Sequence, residues 1–142
     1  MQLFIIDSDP SCNFFTEQML LLEGASLNHI HTFLSVKEAL DALLSVSCQF
    51  PHIILLDLGI QVTDGWEFLE VLAQLDPEKI SECHVFVLTS SVSTAEKERA
   101  KACPMVSGFL HKPLQGNVVR RLLRDPLESA GVNSSAFPCC RP

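Results

Sequence analysis

Residues 51–72, PHIILLDLGIQVTDGWEFLEVL, join an apolar run, an acid and a helix-like segment within one short stretch. The four consecutive apolar residues from Ile53 to Leu56 are typical of a strand that is buried on both faces of a parallel sheet. Asp57 follows them directly. Ligands of open α/β sheets bind in the crevice at the carboxyl ends of the strands, so Asp57 is a candidate functional residue. The alternative is an ordinary loop aspartate that ends a strand.

A second apolar run also ends in acid. Residues 3–6, LFII, are followed by Asp7, Ser8 and Asp9. Neighbouring strands would bring these carboxylates close to Asp57, and like charges in one crevice repel each other unless a cation neutralises them. Oxygen ligands at an open crevice suit magnesium, so Mg²⁺ is the predicted cofactor.

Two later apolar runs end in groups that complement the acids. The run from Val85 to Leu88 ends in the hydroxyl of Thr89, and the run from Gly108 to Leu110 is followed shortly by Lys112. Parallel strands present these ends at one edge of the sheet. Carboxylates, a hydroxyl and an ammonium are therefore expected at a common site.

With these motifs in this order, the sequence resembles the receiver domain of bacterial two-component response regulators, in particular stand-alone receivers of the chemotaxis type. The resemblance extends from Leu3 to about Leu123 and includes the segments DGWEFLE at 64–70 and LTSS at 88–91. It implies a phosphoprotein that takes a phosphoryl group from a histidine kinase or a phosphotransfer protein and signals by docking to other proteins. Such a domain is not an enzyme acting on other molecules, since it catalyses only its own phosphorylation and dephosphorylation.

The resemblance also implies a role for individual residues. Asp57 is the phosphoacceptor, Asp7 helps to hold magnesium, Thr89 contacts the phosphoryl oxygens and Lys112 pairs with them. Phe109 occupies the position of an aromatic residue that moves inward together with Thr89 when such domains switch; the alternative for Phe109 is an ordinary core residue. A cis peptide between Lys112 and Pro113 is implied as well.

The chain departs from the family pattern around the expected metal site. Ser8 stands where a second acid is usual, so one negative charge is missing, and Asp9 or the Ser8 hydroxyl is the candidate replacement. Gly59 replaces the usual asparagine, but the metal contact implied there comes from the backbone carbonyl and is retained. The expected metal ligands are therefore Asp7, Asp57 and Gly59, with Ser8 or Asp9 in addition.

Apolar runs alternate with helical segments five times along the chain. With right-handed crossovers, this alternation predicts an α/β fold, a flavodoxin-like doubly wound five-stranded parallel sheet of order 2-1-3-4-5 with helices on both faces. Asp9 and Pro10 predict the start of the first helix, which runs to Leu22.

The helices are expected to bury their apolar positions. In the first helix these are Phe14, Phe15, Met19 and residues 20–22, and in the last helix they are Leu114, Val118 and Leu122. Ser35 and Glu38 form a capping box for a helix from Val36 to Val46. The third helix is expected to open at Asp64–Glu67 and to end at Asp76–Pro77, followed by a polar connection.

One further helix is expected between the fourth and fifth strands. Residues 94–102 contain five charged and no large apolar side chains. Such weak anchoring suits a mobile element, and this region reports phosphorylation in the family that the chain resembles. The alternative is a solvated helix with no switching role.

Composition agrees with one small domain. The 142 residues are 47% hydrophobic, and we expect a receiver domain at 1–124 and a disordered tail at 125–142. A formal net charge of −7 argues against a nucleic-acid partner, and the sequence suggests neither a signal peptide nor a membrane span. A cytoplasmic protein is therefore expected, with its six cysteines reduced.

Two functions are compatible with these residues. The first is a phosphoacceptor receiver that cycles between phosphorylated and free forms. The second is a receiver-like interaction module whose altered metal site no longer cycles. Ser8 favours the second hypothesis, whereas Asp57, Thr89 and Lys112 together favour the first.

Overall fold

The computed structural model describes residues 1–45, 50–57, 62–89, 98–99 and 102–125, with only the backbone described at 62–64 and 89. Within these ranges five parallel strands form one sheet of order β2-β1-β3-β4-β5. This order confirms the predicted flavodoxin-like topology. The strands are β1 (Leu3–Ile6), β2 (Ile30–Phe33), β3 (Ile53–Asp57), β4 (His84–Thr89) and β5 (Val106–His111).

Five described helices connect or follow these strands. They are α1 (Pro10–Leu22), α2 (Val36–Leu43), α3 (Val62–Ala73), α4 (Pro77–Ile80) and α5 (Gly116–Arg124), and a single 3₁₀ turn (Leu27–His29) precedes β2. None of them is long and apolar enough to cross a membrane. Of the helix predicted at 94–102, only Glu98 and Arg99 lie in helical conformation within the described ranges.

The central strands are buried because helices cover both faces of the sheet. Alternate side chains point to opposite faces, so each strand contributes to two separate clusters of core residues. One cluster packs against α2 and α3 and contains Phe4, Ile6, Ile54, Leu56, Val85, Val87 and Phe109. The other packs against α1 and α5 and contains Leu3, Ile5, Ile53, Leu55, Phe86, Leu88 and Leu110.

Helix α1 has the predicted bounds but only part of the predicted buried face. Leu20 is buried as predicted, together with Asn13 and Thr16, whereas Phe14, Phe15 and Leu22 are 64%, 44% and 77% exposed. The three buried residues have the i, i+3, i+7 spacing of one helix face. Asn13 bonds to backbone carbonyls at the ends of β1 and β2, and this polar contact turns that face toward the sheet.

The predicted capping signals lie at helix starts. The Asp9 side chain accepts a hydrogen bond from the backbone N–H of Ser11, and the Ser35 hydroxyl accepts one from Glu38. The Glu38 carboxylate in turn accepts from the N–H of Leu34. Helix α2 ends at Leu43, earlier than predicted, and Val46 lies outside the described residues.

Three further expectations for the helices need correction. Helix α3 begins at Val62, before Asp64, and ends at Ala73. The Asp76–Pro77 pair starts α4 instead of only ending α3, because the Asp76 side chain accepts a hydrogen bond from the N–H of Glu78. In α5 the buried residues are Val119 and Leu122, while Val118 is only half-buried.

Trp66 is a packing residue. It is 6% exposed on α3, and the guanidinium carbon of Arg99 lies 4.3 Å from its ring centroid. This cation–π contact joins α3 to the helical residues that precede β5.

We predict that Leu55→Ala lowers the free energy of unfolding by about 3 kcal/mol, because it leaves a cavity in the core beside the central strand. Leu55 is fully buried, whereas the control residue Leu22 is 77% exposed. Leu22→Ala should change the stability by less than about 0.5 kcal/mol. Urea unfolding measures both variants, and equal losses would contradict the described core.

Candidate functional site

Three charged side chains meet at the carboxyl edge of the sheet. Asp7 follows β1, Asp57 ends the adjacent strand β3, and Lys112 follows β5. The Lys112 Nζ atom donates to Asp7 Oδ2 and to Asp57 Oδ2, at 2.6 Å in each case. These three residues, which were predicted at the ends of separate strands, thus lie in contact with one another.

The length of the lysine side chain makes this meeting possible. Strand β4 separates β5 from β3, so with neighbouring strands about 4.8 Å apart the two are separated by roughly 10 Å. The four-carbon stem of Lys112, its 2.6 Å hydrogen bond to Asp57 Oδ2 and the Asp57 side chain together cover that distance. The Lys112 side chain is only 16% exposed, and those of Asp7 and Asp57 are 1% and 14% exposed.

The site carries one excess negative charge, because two carboxylates share one ammonium. Burial alone would lower the pKa of Lys112, but the hydrogen bonds that it donates to Asp57 and Asp7 outweigh this effect and raise that pKa to about 12. Lys112 is therefore a cation at all physiological pH values. Burial raises the pKa of Asp7, and the hydrogen bonds from Lys112 and from the Asp9 N–H only partly offset this effect.

Asp7 is held at its backbone and at its carboxylate. Its N–H donates to the carbonyl of Phe33 at 3.0 Å, and its own carbonyl accepts from the Asn13 side chain at 2.7 Å. Its Oδ1 atom accepts from the N–H of Asp9 at 3.0 Å. Sequence reasoning missed Asn13, because a polar residue that bonds to carbonyls distant in sequence leaves no periodic signal.

Asp9 faces the start of α1 with both carboxylate oxygens. Oδ1 accepts from the Ser11 N–H at 2.9 Å, and the Cys12 thiol contacts Oδ2 at 3.5 Å. The bond from Ser11 also lowers the pKa of Asp9. Ser8 is exposed. Asp9 thus caps the helix. It also lines the crevice that contains Asp7 and Asp57, and its role as a replacement for the missing acid stays a prediction.

The acids lie in an open crevice of about 760 Å³. Its lining includes Asp7, Asp57 and Lys112 together with Phe15 from α1 and Leu114 from the connection between β5 and α5. A crevice of this size admits a phosphoryl group and the side chain that carries it.

The two carboxylates of this site are enough protein ligands for a magnesium ion. Mg²⁺ is commonly bound through one or two carboxylates, with water and phosphate oxygens completing its octahedron. Asp7 and Asp57 supply two carboxylates at one edge of the sheet. Within the described ranges no group of three or more His, Cys, Asp or Glu side chains converges on a metal position.

Several candidate residues are placed only in part. Gly59 lies outside the described residues, and at Thr89 only the backbone, at the end of β4, is described.

Phe109 is 3% exposed in the core cluster under α2 and α3. The peptide between Lys112 and Pro113 is cis, which confirms that expectation.

We predict that Asp7→Asn raises the free energy of unfolding at pH 7 by an amount on the order of 1 kcal/mol, since it removes a buried charge from a site with excess negative charge. Because the pKa of Asp7 is higher in the folded protein than its usual 3.8, ionising Asp7 opposes folding. The gain should therefore shrink as the pH falls through the folded pKa toward 3.8.

Urea unfolding between pH 4 and pH 8 provides the measurement. The control is Asp41→Asn, which makes the same change of formal charge at an exposed position on α2. A loss of stability at pH 7 in Asp7→Asn would show that the pairing with Lys112 outweighs the burial of Asp7.

Comparison with known proteins shows which family the chain belongs to. A model of the response regulator receiver domain matches residues 3–125. No curated protein matches the chain. Among solved structures, a response regulator receiver protein from Dyadobacter fermentans is 30% identical, with 87% of this chain and 95% of that chain covered and a TM-score of 0.70.

Two further structures share the fold. A two-component response regulator from Legionella pneumophila is 27% identical, with 91% and 98% of the two chains covered and a TM-score of 0.76. One from Cytophaga hutchinsonii is 24% identical, with 89% and 96% covered and a TM-score of 0.75. The family match includes all five strands and the acids at their ends. The chain belongs to the family of response regulator receiver domains.

Proposed function

We propose that this protein accepts a phosphoryl group on Asp57 from the phosphohistidine of a histidine kinase or a phosphotransfer protein, and signals by docking in the cytoplasm. Family membership supports a phosphoacceptor role in two-component signalling. The observation that carries the assignment to Asp57 is the Lys112 ammonium, which lies 2.6 Å from Asp57 Oδ2 and from Asp7 Oδ2 inside an open crevice.

The proposed reaction is an in-line displacement at phosphorus. A carboxylate oxygen of Asp57 forms the new O–P bond while the P–N bond to the donor imidazole breaks. The electron pair of that bond leaves with the imidazole nitrogen, which then takes up a proton. Phosphoryl transfer of this kind requires mainly positioning and neutralisation of charge.

The residues around Asp57 divide these tasks. Lys112 is already within contact of the acceptor and pairs with the phosphoryl oxygens as their charge moves onto Asp57. Asp7 and Asp57, with the backbone carbonyl of Gly59, would hold magnesium, which when bound neutralises the phosphoryl oxygens. Thr89 is proposed to donate a hydrogen bond to the phosphoryl group, and Phe109 to repack when Thr89 moves.

Phosphorylation should produce one modified species. Incubation with acetyl phosphate and magnesium should add about 80 Da, the mass of one phosphoryl group, to the intact protein. Asp57→Asn should show no gain, because an amide is a poor nucleophile toward phosphorus. Mass spectrometry of the intact proteins makes the comparison.

Two other results would each count against the proposal. An equal gain in Asp57→Asn would place the acceptor elsewhere. No gain in the wild type at high magnesium, followed by a gain in Ser8→Asp, would support the interaction module that no longer cycles.

The missing acid at Ser8 predicts weak magnesium binding. Ser8→Asp should tighten magnesium binding roughly fivefold or more, because a third carboxylate adds Coulomb attraction at short range. Isothermal titration calorimetry measures the change. The control is Ser26→Asp, which adds the same charge at an exposed position beyond the end of α1. Equal magnesium affinity in the wild type and Ser8→Asp would refute the prediction.

A further inference from the structure

Asn13 is a buried polar residue that takes no direct part in the proposed chemistry. It is 5% exposed, and its Nδ2 atom donates to the carbonyl oxygens of Asp7, at 2.7 Å, and of Phe33, at 3.2 Å. These carbonyls belong to the carboxyl ends of the neighbouring strands β1 and β2. One side-chain amide thus ties the first turn of α1 to both strand ends.

The orientation of this amide follows from its partners. Exchanging Oδ1 and Nδ2 would place the amide oxygen against two carbonyl oxygens, with no hydrogen between them. In the observed orientation, Oδ1 is buried without a hydrogen-bond partner among the described residues. A buried acceptor without a partner opposes folding. An apolar side chain would pack here without leaving a buried acceptor unpaired. The two donated hydrogen bonds are therefore what asparagine contributes at this position.

The two bonds from Asn13 fix the backbone around Asp7. Phe33 also accepts the N–H of Asp7, at 3.0 Å, so that Asp7 is bonded on both sides of its α-carbon. The backbone then sets the direction of the carboxylate, which accepts from the Asp9 N–H through Oδ1 and from Lys112 through Oδ2. A shift of the Asp7 carbonyl would move both of these contacts.

The neighbours of Asp7 in the 7–9 segment make no contact with Lys112 in the described structure, although Asp9 lines the same crevice. Ser8 has no carboxylate, and both oxygens of Asp9 face the first turn of α1. Asp7 is accordingly the one acid of the 7–9 segment that contacts Lys112 in the described structure. We propose that Asn13 is the positioning residue of the acceptor site, holding the Asp7 carbonyl so that the Asp7 carboxylate faces Lys112 and the metal position.

This inference rests on the proposed function only in giving Asp7 a metal-holding role. Its test uses Asn13→Leu, which keeps the size of the side chain and removes both donated bonds. Asn13→Ala is the second variant, since it cannot overpack the site if leucine prevents folding. The control is Leu20→Ala, which weakens the packing of the same face of α1 at a fully buried residue that lies away from Asp7.

The first readout is the amide proton resonance of Asp9 in the ¹H–¹⁵N spectrum of the full chain. This N–H donates to Asp7 Oδ1, so the resonance should move upfield in both Asn13 variants as that bond weakens. It should stay in place in Leu20→Ala, although that variant unfolds at a lower temperature. A chemical shift is a property of the folded state, so it separates a change in this hydrogen bond from a general loss of stability.

The second readout is magnesium affinity by calorimetry, which should fall roughly tenfold in the Asn13 variants, as is typical when a residue that orients a metal ligand is removed. An unmoved Asp9 resonance, or unchanged magnesium affinity, would overturn the proposal. If the wild type binds no magnesium, the resonance alone decides. A failure to phosphorylate Asp57 would count against the proposed function and leave this inference standing.

Discussion

The Lys112 ammonium lies between the carboxylates of Asp7 and Asp57, and this shared contact depends on almost every other feature of the domain. Two ionised carboxylates can be buried side by side only if a cation accompanies them. The acids come from adjacent strands and the cation from a strand at the far edge of the sheet. The strand order 2-1-3-4-5, the length of the lysine side chain and the burial of the strand ends are all needed to bring them together.

Much of this arrangement could be predicted because strong local signals mark it. The apolar runs that became β1 and β3 are unbroken, and each is followed by an aspartate or ends in one, so the meeting of Asp7 and Asp57 at one edge of the sheet could be predicted from the sequence. The face of α1 could not be predicted in this way. Apolar residues occur all around this helix, and the side chain that decides the matter, Asn13, is polar and bonds to carbonyls of strands that are distant in sequence. A contact of that kind leaves no periodic signal.

Local signals also carried more than one meaning. Asp76 and Pro77 predicted the end of one helix, and they also begin another, because a cap that suits a helix start is equally a stop for what precedes it. Asp9 was predicted as a helix cap and as a candidate metal ligand; the cap is formed, and the second role stays a prediction. In both cases the sequence allows two uses, and the hydrogen-bond donors around the side chain show that the helix cap is made.

The stacking of Arg99 on Trp66 gives this protein an optical property. Trp66 is the single tryptophan of the chain, and there is no tyrosine. Its indole emission therefore originates at one place, where α3, which follows the Asp57 strand, contacts the residues that precede β5. Since a buried indole emits at shorter wavelength than a hydrated one, the colour of the intrinsic fluorescence records whether this junction is closed. The domain carries its own spectroscopic reporter, and no external label is required.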